Sequence, residues 1–297
     1  MAAPARSDDE PRGPRLYRDF TTQEELDVQY DASRSVDDAS SYTDLYVEQS
    51  RAARTQLECH ADIAFGPTLA ERLDYFPAER PDAPILIFVH GGYWRSRSRK
   101  EFSFVASGPV PAGISVAVID YALCPSVAID ELVRQTRAAA AWVYAHAREL
   151  GGDPRRIHVA GHSAGAHLGA MLMATDWERD FGLPADLIKS GCLLSGLFDL
   201  APIPYTWLQP SLQLTWGEVL RNSPIRRLPR VAGPLIVSYG EAESPEFRRQ
   251  SDDYLSAWHA GGLGGHLLMQ PGKNHYTVID GFLDARTPLC QAVLGQI

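Results

Sequence analysis

Gly161-His162-Ser163-Ala164-Gly165 is the stretch on which the reading of this chain turns. The residues before it, Ile157-His158-Val159-Ala160, read as a short buried strand, and the small and apolar residues from Ala166 to Ala174 are spaced for a helix. A serine in a sharp strand-to-helix turn takes up a strained backbone that projects its hydroxyl from the sheet, and only small neighbours leave room for that turn. G-x-S-x-G arises often by chance. The strand before it and the helix after it make Ser163 a candidate nucleophile.

Working outward, the chain alternates strands with helices. Ile85-Leu86-Ile87-Phe88-Val89 is a continuous apolar run suited to a central strand buried on both faces, and Ile114 to Ile119 is another. Cys192–Ser195, Leu235–Tyr239 and His266–Gln270 read as further strands, with an antiparallel hairpin expected over Ala61–Tyr75. Helices are expected from Thr21-Thr22-Gln23-Glu24, over Tyr42–Gln56, over Ile129–Leu150 up to the break at Gly151-Gly152-Asp153-Pro154, over Pro245–Ala260, and past Tyr276. This alternation predicts an α/β fold, a mostly parallel sheet with helices on both faces, in one domain over residues 17–297. Within it, residues 17–56 are expected as N-terminal helices lying on the core. Residues 201–230, rich in Pro, Trp, Leu and Arg with little periodicity, are expected as a small lid or pocket wall. Residues 1–16, rich in Pro, Arg and Asp, are expected to be a disordered tail.

A nucleophilic serine needs a base, an acid to orient that base, and donors for the developing oxyanion. On a strand-turn-helix scaffold of this kind, acid and base follow the serine in that order. Of the nine histidines, His275 is the one in a Gly- and Asn-containing loop after the last strand, Pro271-Gly272-Lys273-Asn274-His275. The plainer reading, a solvated loop histidine, loses ground once the elbow upstream is counted. Five carboxylates, Asp199, Glu241, Glu243, Asp252 and Asp253, lie in the zone where the acid should fall. Position directly after a strand favours Glu241 or Glu243, against the plainer reading that one of them caps the helix at Pro245. His90-Gly91-Gly92-Tyr93-Trp94 follows the Ile85–Val89 strand at once, 73 positions before Ser163. Successive glycines let backbone N–H groups at Gly91, Gly92 or Tyr93 turn toward one point, with the Ala164 N–H as the second oxyanion donor.

Bulk properties narrow the partners. The 297 residues carry 45% hydrophobic and 22% charged side chains, ordinary for a globular enzyme. The formal charge is −9, and residues 1–50 alone hold 12 acidic against 5 basic side chains. A polyanion wants a basic face, so nucleic acid is excluded as a partner. No apolar run approaches a membrane span and Met1–Arg15 has no apolar signal core, so the expectation is a cytoplasmic protein. Cys59, Cys124, Cys192 and Cys290 have neither disulfide-framework nor metal-ligand spacing and read as isolated reduced thiols. The expected partner is a small-molecule amide or ester, with no metal, no cofactor and at most a second copy of the chain.

Taken together, His90-Gly91-Gly92-Tyr93-Trp94 and Gly161-His162-Ser163-Ala164-Gly165-Ala166-His167-Leu168 resemble the kynurenine formamidase (arylformamidase) group of α/β-hydrolases, near the hormone-sensitive-lipase-like esterases. Glu71-Arg72-Leu73-Asp74, Asp120-Tyr121, Ser195–Leu200, Asn222-Ser223-Pro224, Glu243–Ser251 and Asn274-His275-Tyr276 extend the likeness over about residues 17–290. The resemblance implies the α/β-hydrolase fold and a Ser163–Glu243–His275 triad, Glu243 standing where many relatives have Asp and Glu241 being the reserve. It implies hydrolysis of an N-formyl arylamine such as N-formylkynurenine through a formyl-enzyme, without a metal. A broad short-chain carboxylesterase and a non-catalytic ligand-binding relative are the alternatives. Trp94 and Trp207, with Tyr93, would supply aromatic walls for the substrate; the plainer reading for Trp207 is a core or surface aromatic.

Overall fold

Eight strands carry the molecule: β1 (His60–Ala64), β2 (Arg72–Phe76), β3 (Ala83–Val89), β4 (Ser115–Ile119), β5 (Gly152–His162), β6 (Ile188–Leu194), β7 (Leu235–Gly240) and β8 (Gly265–Gln270). In this computed structural model, which describes residues 14–297, they form one sheet in the order β1-β2-β4-β3-β5-β6-β7-β8. The first two strands run antiparallel to their neighbours and the remainder are parallel. This is the α/β-hydrolase architecture expected from the strand–helix alternation. Most of the tail expected over residues 1–16 lies outside the described residues.

The continuous apolar runs in the sequence become strands buried along their whole length, every residue of β3 and β4 being inaccessible. Side chains alternate between two cores, as a strand's period of two requires. Ile85, Ile87 and Val89 face the helices Ile129–His146, Ala164–Met173 and Pro245–Ala260, while Leu86 and Phe88 face the helices Ala39–Gln56 and Pro288–Leu294. The outermost strand β1 is short, mostly exposed and bulged between His60 and Ile63, which discourages edge-to-edge pairing.

Several boundaries differ from the sequence reading. The helix expected through Leu150 ends at His146, and residues 147–150 form turns, because Gly151 (φ +77°) must turn the chain back into β5. β5 is correspondingly longer than Ile157–Ala160. It begins at Gly152, paired with Ala83, and carries Pro154 near its start, where a missing N–H does least harm. Past Tyr276 the chain first makes a 3₁₀ segment, Thr277–Leu283, before the last helix begins at Pro288. Residues 201–230 form four short helical pieces.

The sheet order has one functional consequence. From β3 the chain first moves to one side, to β4, and then to the other, to β5. Ligand sites of open parallel sheets lie at such a switch, beyond the carboxyl ends of the strands. Register does the rest. Val89 is opposite Gly161, His162 opposite Leu194, and Leu194 opposite Ser238, so the loops after β3, β5, β6 and β7 leave the sheet side by side.

Candidate active site

Ser163 sits at the exit of β5 with φ 57° and ψ −119°, a conformation sparsely populated by non-glycine residues. Two constraints hold it there. Its N–H donates to the Leu194 carbonyl at 2.8 Å, tying the turn to β6. The helix beginning at Ala164 packs so close to β3 that a Cβ on Gly165 would stand 2.0 Å from the Val89 carbonyl oxygen. Only glycine fits the last place of G-x-S-x-G.

The turn after β3 arrives beside the serine. A Cβ built on Gly91 would lie 3.2 Å from Ser163 Cβ, which measures how near this backbone comes. Gly92 (φ +112°), Tyr93 (+49°) and Trp94 (+57°) follow in left-handed conformations, and the N–H groups of Gly92, Tyr93 and Ala164 have no acceptor among the described residues. The loop is pinned at both ends. Tyr121 OH donates to the His90 carbonyl at 2.8 Å, and buried Arg99, beyond the loop, is held by Asp62, Asp74 and Asp120.

His275 follows β8, and its Nδ1 lies 2.8 Å from Glu243 Oε2. The other carboxylate oxygen, Glu243 Oε1, accepts from the Gly240 N–H at 2.7 Å and from Ser195 Oγ at 2.5 Å. Glu243, Ser195 and His275 are all buried. The four other carboxylates are engaged elsewhere. Exposed Glu241 accepts from the Gly272 N–H at 3.0 Å, Asp252 faces Tyr239, Asp253 pairs with Arg249, and Asp199 caps Ala201. His275 packs on Phe247, with ring centres 4.4 Å apart, and on His162 at 4.8 Å. His162 Nε2 lies 2.8 Å from the His275 carbonyl, so it carries the hydrogen and donates. Burial, reinforced by the neighbouring His275, pushes the His162 imidazole well below its usual pKa, so it stays neutral.

Ser163 and His275 open onto one pocket of about 220 Å³. No hydrogen bond joins Ser163 Oγ to His275 Nε2, whose ring is held from the Nδ1 side. Gly91, Gly92 and Tyr93 line one side and Trp207 another. Tyr93 and Trp207 meet edge to face at 5.9 Å, and the Tyr93 hydroxyl donates to the Tyr30 carbonyl. Trp94 departs from its expected role. It is fully buried beneath the loop, donates from Nε1 to His167 Nδ1 at 3.1 Å and does not reach the pocket, because a positive φ turns its side chain into the core. His167 in turn donates from Nε2 to the Asn222 carbonyl at 2.7 Å, locking the start of the helix to the 201–230 insertion.

Sequence reasoning gave no role to Ser195, nor to Asp31, Ala32 and Ser33, which line the pocket from the N-terminal segment. Ser195 could have been suspected from its place at the end of the strand next to the elbow. Residues 31–33 carry no local mark, since only tertiary packing brings them there.

A kynurenine formamidase of Danio rerio is 32% identical over 289 residues, covering 93% of this chain and 97% of that protein. This chain belongs to the kynurenine formamidase family of α/β-hydrolases. The family pattern BD-FAE matches residues 73–187. A carboxylesterase, NlhH, of Mycobacterium tuberculosis is 36% identical over 223 residues, 69% of each chain. The solved structure of a thioesterase candidate from Silicibacter sp. TM1040 superposes with a TM-score of 0.81 at 28% identity, covering 91% of this chain and 99% of that one. With relatives of this kind over most of its length, the chain is a hydrolase of the arylformamidase/esterase type. Among the described residues no helix is long and apolar enough to cross a membrane, and no group of three or more His, Cys, Asp or Glu side chains could hold a metal ion.

Proposed function

We propose that this chain hydrolyses an aryl formamide of the N-formylkynurenine type through a formyl-enzyme on Ser163. One observation carries the reading: buried Glu243 hydrogen-bonds His275 at 2.8 Å in the same pocket into which the strained Ser163 opens. His275 Nε2 takes the Ser163 proton as Oγ attacks the formyl carbon. Glu243 holds the proton on Nδ1 and stabilises the imidazolium that forms. The N–H groups of Ala164 and of Gly91, Gly92 or Tyr93 bind the oxyanion, in keeping with the absence of acceptors for those of Gly92, Tyr93 and Ala164. His275 then protonates the leaving arylamine and the C–N bond breaks. Water, deprotonated by the same imidazole, attacks the formyl ester, and formate leaves as Ser163 recovers its proton.

A second reading, a broad short-chain carboxylesterase, is favoured by the likeness to NlhH. Rates on N-formylkynurenine and p-nitrophenyl acetate, measured with wild type and Ser163→Ala, separate the two. Formamide turnover far below ester turnover sinks the formamidase reading. Failure to label Ser163 with a fluorophosphonate sinks both and leaves a non-catalytic binder. The site is placed in the cytoplasm as part of this proposal, supported by four cysteines that remain unpaired in the fold.

A further inference from the structure

Hydrolysis of the formyl group leaves Arg95 without a task. It lies four positions past Gly91 and lines the same pocket as Ser163 and His275. Two contacts hold its exposed side chain: Nη1 donates to Ser211 Oγ at 3.0 Å, and the guanidinium carbon stands 5.1 Å from the centre of the Trp207 ring. Both partners belong to the 201–230 insertion, so the guanidinium is suspended between the oxyanion loop and the opposite wall.

Among the described residues no carboxylate lies within ion-pair distance of Arg95, whereas other charges on the pocket are matched. Arg97 pairs with Glu101 at 3.1 Å and donates to Thr43 Oγ1 at 2.7 Å. Asp31 accepts from the Ser33 N–H at 3.1 Å and stands 3.5 Å from Arg34. A guanidinium presents five N–H donors in a planar fork, of which Ser211 takes one. The remaining fork matches a carboxylate, and the Trp207 face beneath keeps the plane in place.

We propose that Arg95 is a specificity-determining residue forming an anion subsite at the pocket mouth. N-formylkynurenine carries a carboxylate on its leaving group, beyond a flat aromatic part seated against Tyr93 and Trp207, and Arg95 is the residue that selects for it. This rests on the acyl transfer proposed at Ser163. With an acyl group as small as formyl, everything that can reach the mouth belongs to the leaving group.

The test uses matched pairs in two series: formanilide bearing a ring carboxylate against its carboxamide, and phenyl acetate bearing the same two groups. Each kcat/KM ratio of acid to amide is internal to one enzyme preparation, so partial misfolding of a variant cancels. In wild type the ratio is expected at about tenfold, expressed mainly in KM and falling with ionic strength. Arg95→Ala brings it to about one and removes the salt dependence, and Arg95→Lys leaves an intermediate value. A wild-type ratio near one, or a tenfold ratio that survives Arg95→Ala, overturns the subsite. If only the esters are cleaved and they show the ratio, the formamide reading falls while the subsite stands.

Discussion

Replacing Ser195 with alanine removes one of the two donors that fix Glu243 Oε1 and leaves the rest of the proposed triad in place. The lost bond is short (2.5 Å), buried and made to a carboxylate, the class of hydrogen bond worth about 1.5–3 kcal/mol. The Gly240 N–H at 2.7 Å remains, so Glu243 keeps a single tether and can turn about its side-chain bonds. At about 1.4 kcal/mol per tenfold, kcat/KM should fall between about tenfold and a hundredfold. Steady-state kinetics on p-nitrophenyl acetate, with the thermal midpoint measured alongside, give both readouts. If Ser195→Ala lowers the midpoint but leaves kcat/KM within about threefold of wild type, Ser195 is only packing and does not position Glu243.

Ser163→Ala should abolish turnover and fluorophosphonate labelling while circular dichroism stays native. Glu243→Gln should cost roughly 10³- to 10⁴-fold in kcat, whereas Glu241→Gln should stay within a few-fold; the reverse order would reassign the acid. Gly165→Ala, whose Cβ has no space beside the Val89 carbonyl, should prevent accumulation of folded protein, read by thermal melting of whatever is recovered. Stability should fall in mild acid. Burial pushes His158 and His167 from 6.5 down to about 4, so the unfolded chain takes up their protons first as pH drops through 6.5. Each then removes up to about 3 kcal/mol by pH 4, and denaturant titrations of wild type and His167→Gln at pH 7 and pH 4.5 should show the variant losing less.

What the sequence disclosed and what it hid follow from how far apart the deciding residues are. The elbow is legible because strand, turn and helix are contiguous, and the glycine at its end is there for a clash with the neighbouring strand. His275 is legible because a loop after the last strand of a parallel sheet must open at the carboxyl edge. Glu241 and Glu243 are two residues apart in one turn, and position alone does not separate them. The separation comes from backbone direction after Gly240, where the Glu243 N–H returns to the Gly240 carbonyl at 3.1 Å. The burial of Trp94 is not legible in the sequence, because its neighbour Tyr93 faces the pocket and one further left-handed residue sends the next side chain inward. Asp31, Ala32 and Ser33 reach the pocket from about 130 positions before Ser163, a distance at which local pattern says nothing.

Those three residues give the molecule a division of labour. The groups proposed to do chemistry hang on the ends of β3, β5, β7 and β8, locked by sheet register. Part of the wall the substrate meets is supplied by a segment that precedes the first strand and is fastened through Tyr30 to Tyr93 and to Glu246. Exchanging residues 14–35 between relatives would therefore rewrite which molecules fit while leaving the reacting atoms untouched. In that division residues 14–35 would set selectivity and the strand ends the reaction.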